Sequence, residues 1–146
     1  MKKIYLAGPV FSLAEKQFNK DLAQKIEVEL DGKVKVILPQ ERALLFIEKS
    51  NGLNLIFKDC LEMIDLSDMV VCILDGSDAD SGTSFEVGYA YGKKPILGIR
   101  TDFRELEEKG VNLMLSNSCS RIILDSSATL ETLAIRISSV FYELCK

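Results

Sequence analysis

A chain of 146 residues that is 47% hydrophobic and 27% charged has the size and balance of one domain with one core, spanning residues 1–146. Its formal net charge of −4 argues against a nucleic-acid polymer or an anionic membrane as partner. No apolar run reaches the length of a membrane span, and the sequence has no histidine. That excludes Ser-His-Asp and Cys-His mechanisms and imidazole-held zinc, so proton transfer and nucleophilic attack fall to carboxylates, Tyr, Lys or Cys.

Lys3 to Ala7 is a short apolar run ended by Gly8-Pro9, which predicts a buried strand followed by a sharp turn. The same Gly-Pro break interrupts the apolar stretch after Met1-Lys2-Lys3, so export is not expected and a cytoplasmic location is. Ser12 with Glu15 three residues on predicts a capping box. Phe18, Leu22, Ile26 and Leu30 then continue a helix that Asp31-Gly32 ends. Val34 to Leu38 is the second strand, closed by Pro39, and a short helix is expected over Ala43 to Ile47. Leu53, Phe57, Cys60, Leu61 and Ile64 have helical spacing. Met69 to Leu74, apolar almost throughout, is the third strand, as for a strand covered on both faces.

Leu74 to Tyr89 is the most informative stretch. Three aspartates (Asp75, Asp78, Asp80), two glycines (Gly76, Gly82) and small hydroxyl residues (Ser81, Thr83, Ser84) separate the third strand from a helix over about Gly82 to Gly92. Glu86 falls in that helix. Gly88, Ala90 and Gly92 suggest close packing there, against the sheet or against a partner helix. Pro95 to Ile99 is the fourth strand, followed by a charged loop from Arg100 to Gly110, then Val111 to Leu115. Arg121 to Leu124 is the fifth strand. Leu130, Leu133, Ala134, Ile137, Phe141 and Leu144 form a final amphipathic helix. The four cysteines, Cys60, Cys72, Cys119 and Cys145, lack CxxC spacing and read as free thiols of a reducing compartment.

Strands alternating with helices predict an α/β fold with a parallel sheet, and five strands favour a flavodoxin-like three-layer sandwich in order 2-1-3-4-5. In that order strands 1 and 3 adjoin at the switch point. A pocket is therefore expected between Ala7-Gly8-Pro9 and Asp75-Gly76, with Tyr5, Phe11, Asp80 and Glu86 near it. There is no GxxxxGK[ST] and no GxGxxG, so neither ATP nor NAD is expected, and no other cofactor is. The acidic loop lacks the twelfth-position glutamate of a calcium loop, and no metal is expected. A single carboxylate in a partly apolar pocket suits attack on the anomeric carbon of a nucleoside, where the transition state resembles an oxocarbenium ion.

Ile4 to Phe11, Asp80 to Ala90 and Asn112-Leu113-Met114, in that order, resemble the nucleoside 2-deoxyribosyltransferase family from the first strand to the last helix. The resemblance implies exchange of the base on a 2′-deoxynucleoside without a cofactor. The partners it implies are a small nucleoside or nucleotide and a free nucleobase. It further implies a homo-oligomer built from dimers, in which one subunit helps close its neighbour's pocket. By the same resemblance Glu86 is the nucleophile, Tyr5 positions it, and Asp80 holds the sugar hydroxyls. Asn112, followed by Met114, is lent to the neighbouring subunit at the sugar's 5′ end, and Gly8, Pro9 and Phe11 line the base pocket.

There is one departure. The family places an aspartate linked to base protonation where this chain has Cys60. Asp59 is adjacent, but one residue turns a helix by about 100°, so it substitutes only if the helix shifts locally; Asp75 is the other candidate. Two alternatives stand beside transfer. One is hydrolysis of the N-glycosidic bond of nucleosides or 5′-monophosphates, with Ser81, Gly82, Thr83 and Ser84 offering donors to a phosphate. The other is a non-catalytic nucleotide-binding module.

Overall fold

The computed structural model describes residues 1–104 and 111–145. Five strands, β1 (Lys2–Ala7), β2 (Val34–Ile37), β3 (Met69–Ile73), β4 (Ile96–Arg100) and β5 (Arg121–Leu124), form one sheet in order β2-β1-β3-β4-β5. Every neighbouring pair is parallel. The helices are α1 (Leu13–Glu29), α2 (Pro39–Ala43), α3 (Gly52–Asp65), α4 (Ser81–Ala90), α5 (Leu113–Ser118) and α6 (Leu130–Leu144). This is the expected fold class and strand order.

Side chains alternate across the strands and so divide the core in two. Ile4 and Leu6 of β1 pack with Leu22 and Ile26 of α1 and Leu133, Ile137 and Phe141 of α6. Tyr5 and Ala7 turn the other way, toward Met63 and Ile64 of α3, Val87 and Ala90 of α4, and Leu115 of α5. β3 is buried along its whole length. Asp68 fixes the start of β3 to β1 by accepting the Lys3 N–H at 2.7 Å. From β1 the chain moves to β2 through α1, then jumps back over β1 to β3 through α3 on the opposite face. In open α/β sheets ligands bind at such a reversal, which here falls at the ends of β1 and β3.

Ser12 and Glu15 form the expected capping box on α1. Several boundaries differ from expectation. The short helix lies at Pro39–Ala43 rather than over Ala43 to Ile47: Pro39 occupies its first turn, where a missing N–H costs nothing, and Leu38 precedes the helix instead of extending β2. Arg100 is the last residue of β4 and is buried, rather than opening the charged loop; residues 105–110 of that loop lie outside the described residues. Within the single chain Ala90 packs closely under α4, whereas Gly88 has open space around it. The Leu53–Phe57 stripe of α3 faces outward, with Leu53 82% and Phe57 49% exposed. Among the described residues, no helix is long and apolar enough to cross a membrane.

Candidate active site

β1 and α4 bring the central pair together. Tyr5 points off β1 into the α3–α4 face and is fully buried. Asp80 caps α4, its Oδ2 accepting the Thr83 N–H at 2.8 Å and the Thr83 hydroxyl at 3.1 Å. Glu86 follows six residues later, so the cap sets the rotation that turns its carboxylate toward β1. The Tyr5 hydroxyl donates to Glu86 Oε1 at 2.6 Å.

The electrostatics follow from burial. Desolvation pushes Glu86 up to about 7; the Tyr5 hydrogen bond opposes the rise and the Asp80 charge adds to it. Burial also drives Tyr5 far above its ordinary value, with the charge of Glu86 adding to the effect. Tyr5 therefore keeps its proton at any working pH and acts as a fixed donor. Among the described residues Oε1 alone of the Glu86 carboxylate is hydrogen-bonded. Oε2 keeps its lone pairs for an electrophile.

The loop after β1 is held from two sides. Glu15 Oε2 accepts the Phe11 N–H at 3.0 Å and the Ser12 N–H at 2.6 Å. The Asn19 side-chain amide donates to the Pro9 carbonyl at 3.0 Å and to Gln40 Oε1 at 3.1 Å. A Cβ on Gly8 would lie 2.8 Å from Ile73 Cδ1, so the loop passes close over the end of β3 and a larger residue there would have to displace the Ile73 side chain. Phe11 itself is 75% exposed.

The loop after β3 is tied to the turn after β4. Asp75 accepts the Thr101 N–H at 2.5 Å, the Thr101 hydroxyl at 2.6 Å and the Asp102 N–H at 2.9 Å. Gly76, at φ +112°, donates its N–H to Asp102 at 3.0 Å. Both Asp75 oxygens are thus engaged as acceptors. Ser81 and Gly82 are exposed, whereas Thr83 is buried under Asp80. Asn112 caps α5, its Oδ1 accepting the Met114 N–H at 2.9 Å, and both Asn112 and Met114 are exposed. The structure thus gathers Tyr5, Asp80 and Glu86, with Gly8 and Gly76 at the two strand ends. Asn112 and Met114 sit on the outer surface of the single chain.

The rotation of α3 separates Asp59 from Cys60. Asp59 is buried and forms a two-pronged ion pair with Arg42 of α2 through its Nε and its Nη2. Cys60 turns to the sheet, on the side of Tyr5 and Glu86. Burial, above all, pushes that thiol up, so it stays protonated at neutral pH. The helix makes no local shift that would bring Asp59 inward. Sequence reasoning missed Arg42, Asn19 and Gln40. A buried asparagine on an otherwise apolar helix face was the signal available for Asn19. Among the described residues no group of three or more Cys, Asp or Glu side chains is placed to hold a metal ion.

A protein-family model described as nucleoside 2-deoxyribosyltransferase matches residues 4–115. No curated protein matches the sequence. Among solved structures, the chain is similar to a conserved protein from Enterococcus faecalis V583, with TM-score 0.75 and 28% identity over 96% of this chain and 99% of that one. It is similar to a 2-deoxyribosyltransferase from Bacillus psychrosaccharolyticus, with TM-score 0.69 and 27% identity over 90% of each chain. A CMP N-glycosidase from Clostridium botulinum shares the fold, with TM-score 0.61 and 16% identity over 93% of this chain and 98% of that one.

Proposed function

The chain belongs to the nucleoside 2-deoxyribosyltransferase family, and on that premise we propose that it moves a 2-deoxyribosyl group between nucleobases through a glycosyl ester on Glu86. The observation that carries this reading is the Tyr5–Glu86 hydrogen bond of 2.6 Å at the switch point of the sheet. Glu86 Oε2 attacks C1′, the C1′–N bond breaks, and the base leaves with the bonding pair and gains a proton. A second base then attacks C1′ from the vacated side, releases the carboxylate and gives up a proton. Tyr5 holds Oε1, so one oxygen is aimed and the other is free to react. A site pKa of about 7 leaves a large carboxylate fraction at neutral pH.

Asp80 has one oxygen spent on Thr83, and its other oxygen is the one offered to the sugar hydroxyls. Gly8, Pro9 and Phe11 form the base side of the crevice. Asn112 and Met114 serve a neighbouring subunit, in a homo-oligomer built from dimers. The outward apolar surface supports that assembly: Phe57 and Phe85 meet at a tilt with ring centroids 5.9 Å apart while half-exposed, and Leu44, Leu45, Ile47 and Leu53 are exposed as well. Incubating deoxyinosine with adenine should yield deoxyadenosine.

Hydrolysis with water as acceptor is the second reading, supported by the shared fold of a CMP N-glycosidase. It predicts base release from a nucleoside or 5′-monophosphate at a rate that added free base does not divert into new nucleoside. A nucleotide-binding module without catalysis predicts saturable binding and no base release.

A further inference from the structure

A second pair of reactive side chains, Cys72 on β3 and Cys119 at the end of α5, lies on the sheet face that holds Tyr5. Cys72 of β3 pairs with Gly98 of β4, which pairs in turn with Ile122 of β5. A Cβ built on Gly98 would lie 3.0 Å from the Sγ of Cys119. The missing side chain is therefore the space into which the Cys119 thiol fits, next to Cys72. The two sulfurs influence each other directly. Cys72 is held well above its ordinary value by its hydrogen bond to Cys119 and then by burial. Cys119 is held below its ordinary value, chiefly by Cys72.

The two differ in access. Cys72 is fully buried, while Cys119 sits at the end of α5 and is partly exposed. Of the two thiols, Cys119 is the one a peroxide in solution reaches, so it is oxidised first. Cys60 faces Tyr5 from α3, and Cys145 packs against the opposite core at the end of α6.

We propose that Cys119 is an oxidation site and that Cys72 captures the oxidised sulfur as an intramolecular disulfide. The Cys119 thiolate attacks one oxygen of a hydroperoxide; an S–O bond forms, the O–O bond breaks, and the departing oxygen takes up the proton. The Cys72 sulfur then attacks Cys119 Sγ, the S–O bond breaks, and the hydroxyl leaves as water with the Cys72 proton. Two thiols lose two electrons and two protons, and the peroxide is reduced by two electrons. The new bond ties the middle of β3 to the end of α5, the helix that Asn112 begins.

The test treats the reduced full chain with hydrogen peroxide, blocks remaining thiols under denaturing conditions, and maps non-reduced peptides by mass spectrometry. The expected product is one cross-linked species joining the Cys72 and Cys119 peptides, lighter than their sum by two hydrogens and split by dithiothreitol. In Cys72→Ala, dimedone should label Cys119. Because that variant alters the core, Cys119→Ser is run beside it and should leave Cys72 reduced at the same peroxide dose. Full blocking of both thiols after peroxide, a cross-link from Cys119 to Cys60 or Cys145, or prior oxidation of Cys72 in Cys119→Ser would overturn the proposal. None of these readouts depends on Glu86 or on turnover.

Discussion

Tyr5 and Glu86 stand 81 residues apart in sequence, and the Tyr5 hydroxyl meets Glu86 Oε1 at 2.6 Å. One residue comes from the second strand position of the sheet and the other from the helix after β3. Their meeting depends on β1 and β3 being neighbours, with Tyr5 in register with Val70. The reversal of the chain between β2 and β3 makes them so.

Glu86 should trade stability for activity. Its folded value of about 7 lies above the ordinary 4.5, so its stabilising share is fully present below pH 4.5 and is lost as the pH rises through about 7. Above that, the buried carboxylate costs about 3 kcal/mol. Glu86→Gln should therefore melt higher than the parent at pH 8 and at the same temperature at pH 4. Its transfer activity should fall by about a thousandfold or more. Thermal melts at the two pH values, with base-exchange rates, test both halves.

The rate of base release should follow the carboxylate form of Glu86. Under single-turnover conditions it should climb about tenfold per pH unit below neutrality and level off above pH 7. Tyr5→Phe removes the one interaction that lowers the Glu86 value. The rising limb should then move to higher pH, and activity at pH 7 should drop by about tenfold and recover in part at pH 9. A limb that stays in place in Tyr5→Phe would mean that another group titrates.

Arg42→Met should destabilise the fold by about 3 kcal/mol, because it leaves the Asp59 charge buried without its partner. Asp59→Asn should lower the melting temperature while leaving kcat/KM almost unchanged, since the side chain faces α2 and not the site. Cys60→Asp should act differently. A carboxylate beside Tyr5 and Glu86 raises the Glu86 value further by like-charge repulsion, and the acidic limb of the rate profile should shift upward. Paired denaturation curves and pH–rate profiles separate the two positions.

Phe57→Lys with Phe85→Glu should convert an assembly into monomers in sedimentation velocity, because each places a charge on the half-exposed aromatic pair. If the neighbour supplies Asn112, that monomer should lose transfer activity although its melting temperature changes little. Asn112→Ala should lose activity in the intact assembly.

Most of the layered architecture was legible because its signals are local. Five apolar runs and the Ser12–Glu15 capping box each lie within a few residues of the feature they specify. The Tyr5–Glu86 pair was legible for a different reason: strand order places the two loops together, and the resemblance of their motifs names the residues. What stayed hidden depends on helix rotation and on distant loops. Asp59 and Cys60 are adjacent in sequence, and nothing local says which one Arg42 draws outward. Asp75 looked free in an acidic loop, yet Thr101 and Asp102, 26 and 27 residues on, occupy it. The Leu53–Phe57 stripe has the spacing of a core face and is nevertheless exposed, because periodicity reports an apolar side without saying what covers it.

On the proposed mechanism Glu86 becomes covalently bound to the sugar. Mixing the enzyme with an excess of a 2′-deoxynucleoside carrying fluorine at C2′, which slows departure from the ester, and quenching in acid gives a direct reading by intact mass and peptide mapping. The expected product is one added sugar unit on the peptide containing Glu86, formed in step with base release and absent from Glu86→Gln. Base release with Glu86 unmodified throughout turnover, or the same adduct in Glu86→Gln, would contradict that mechanism.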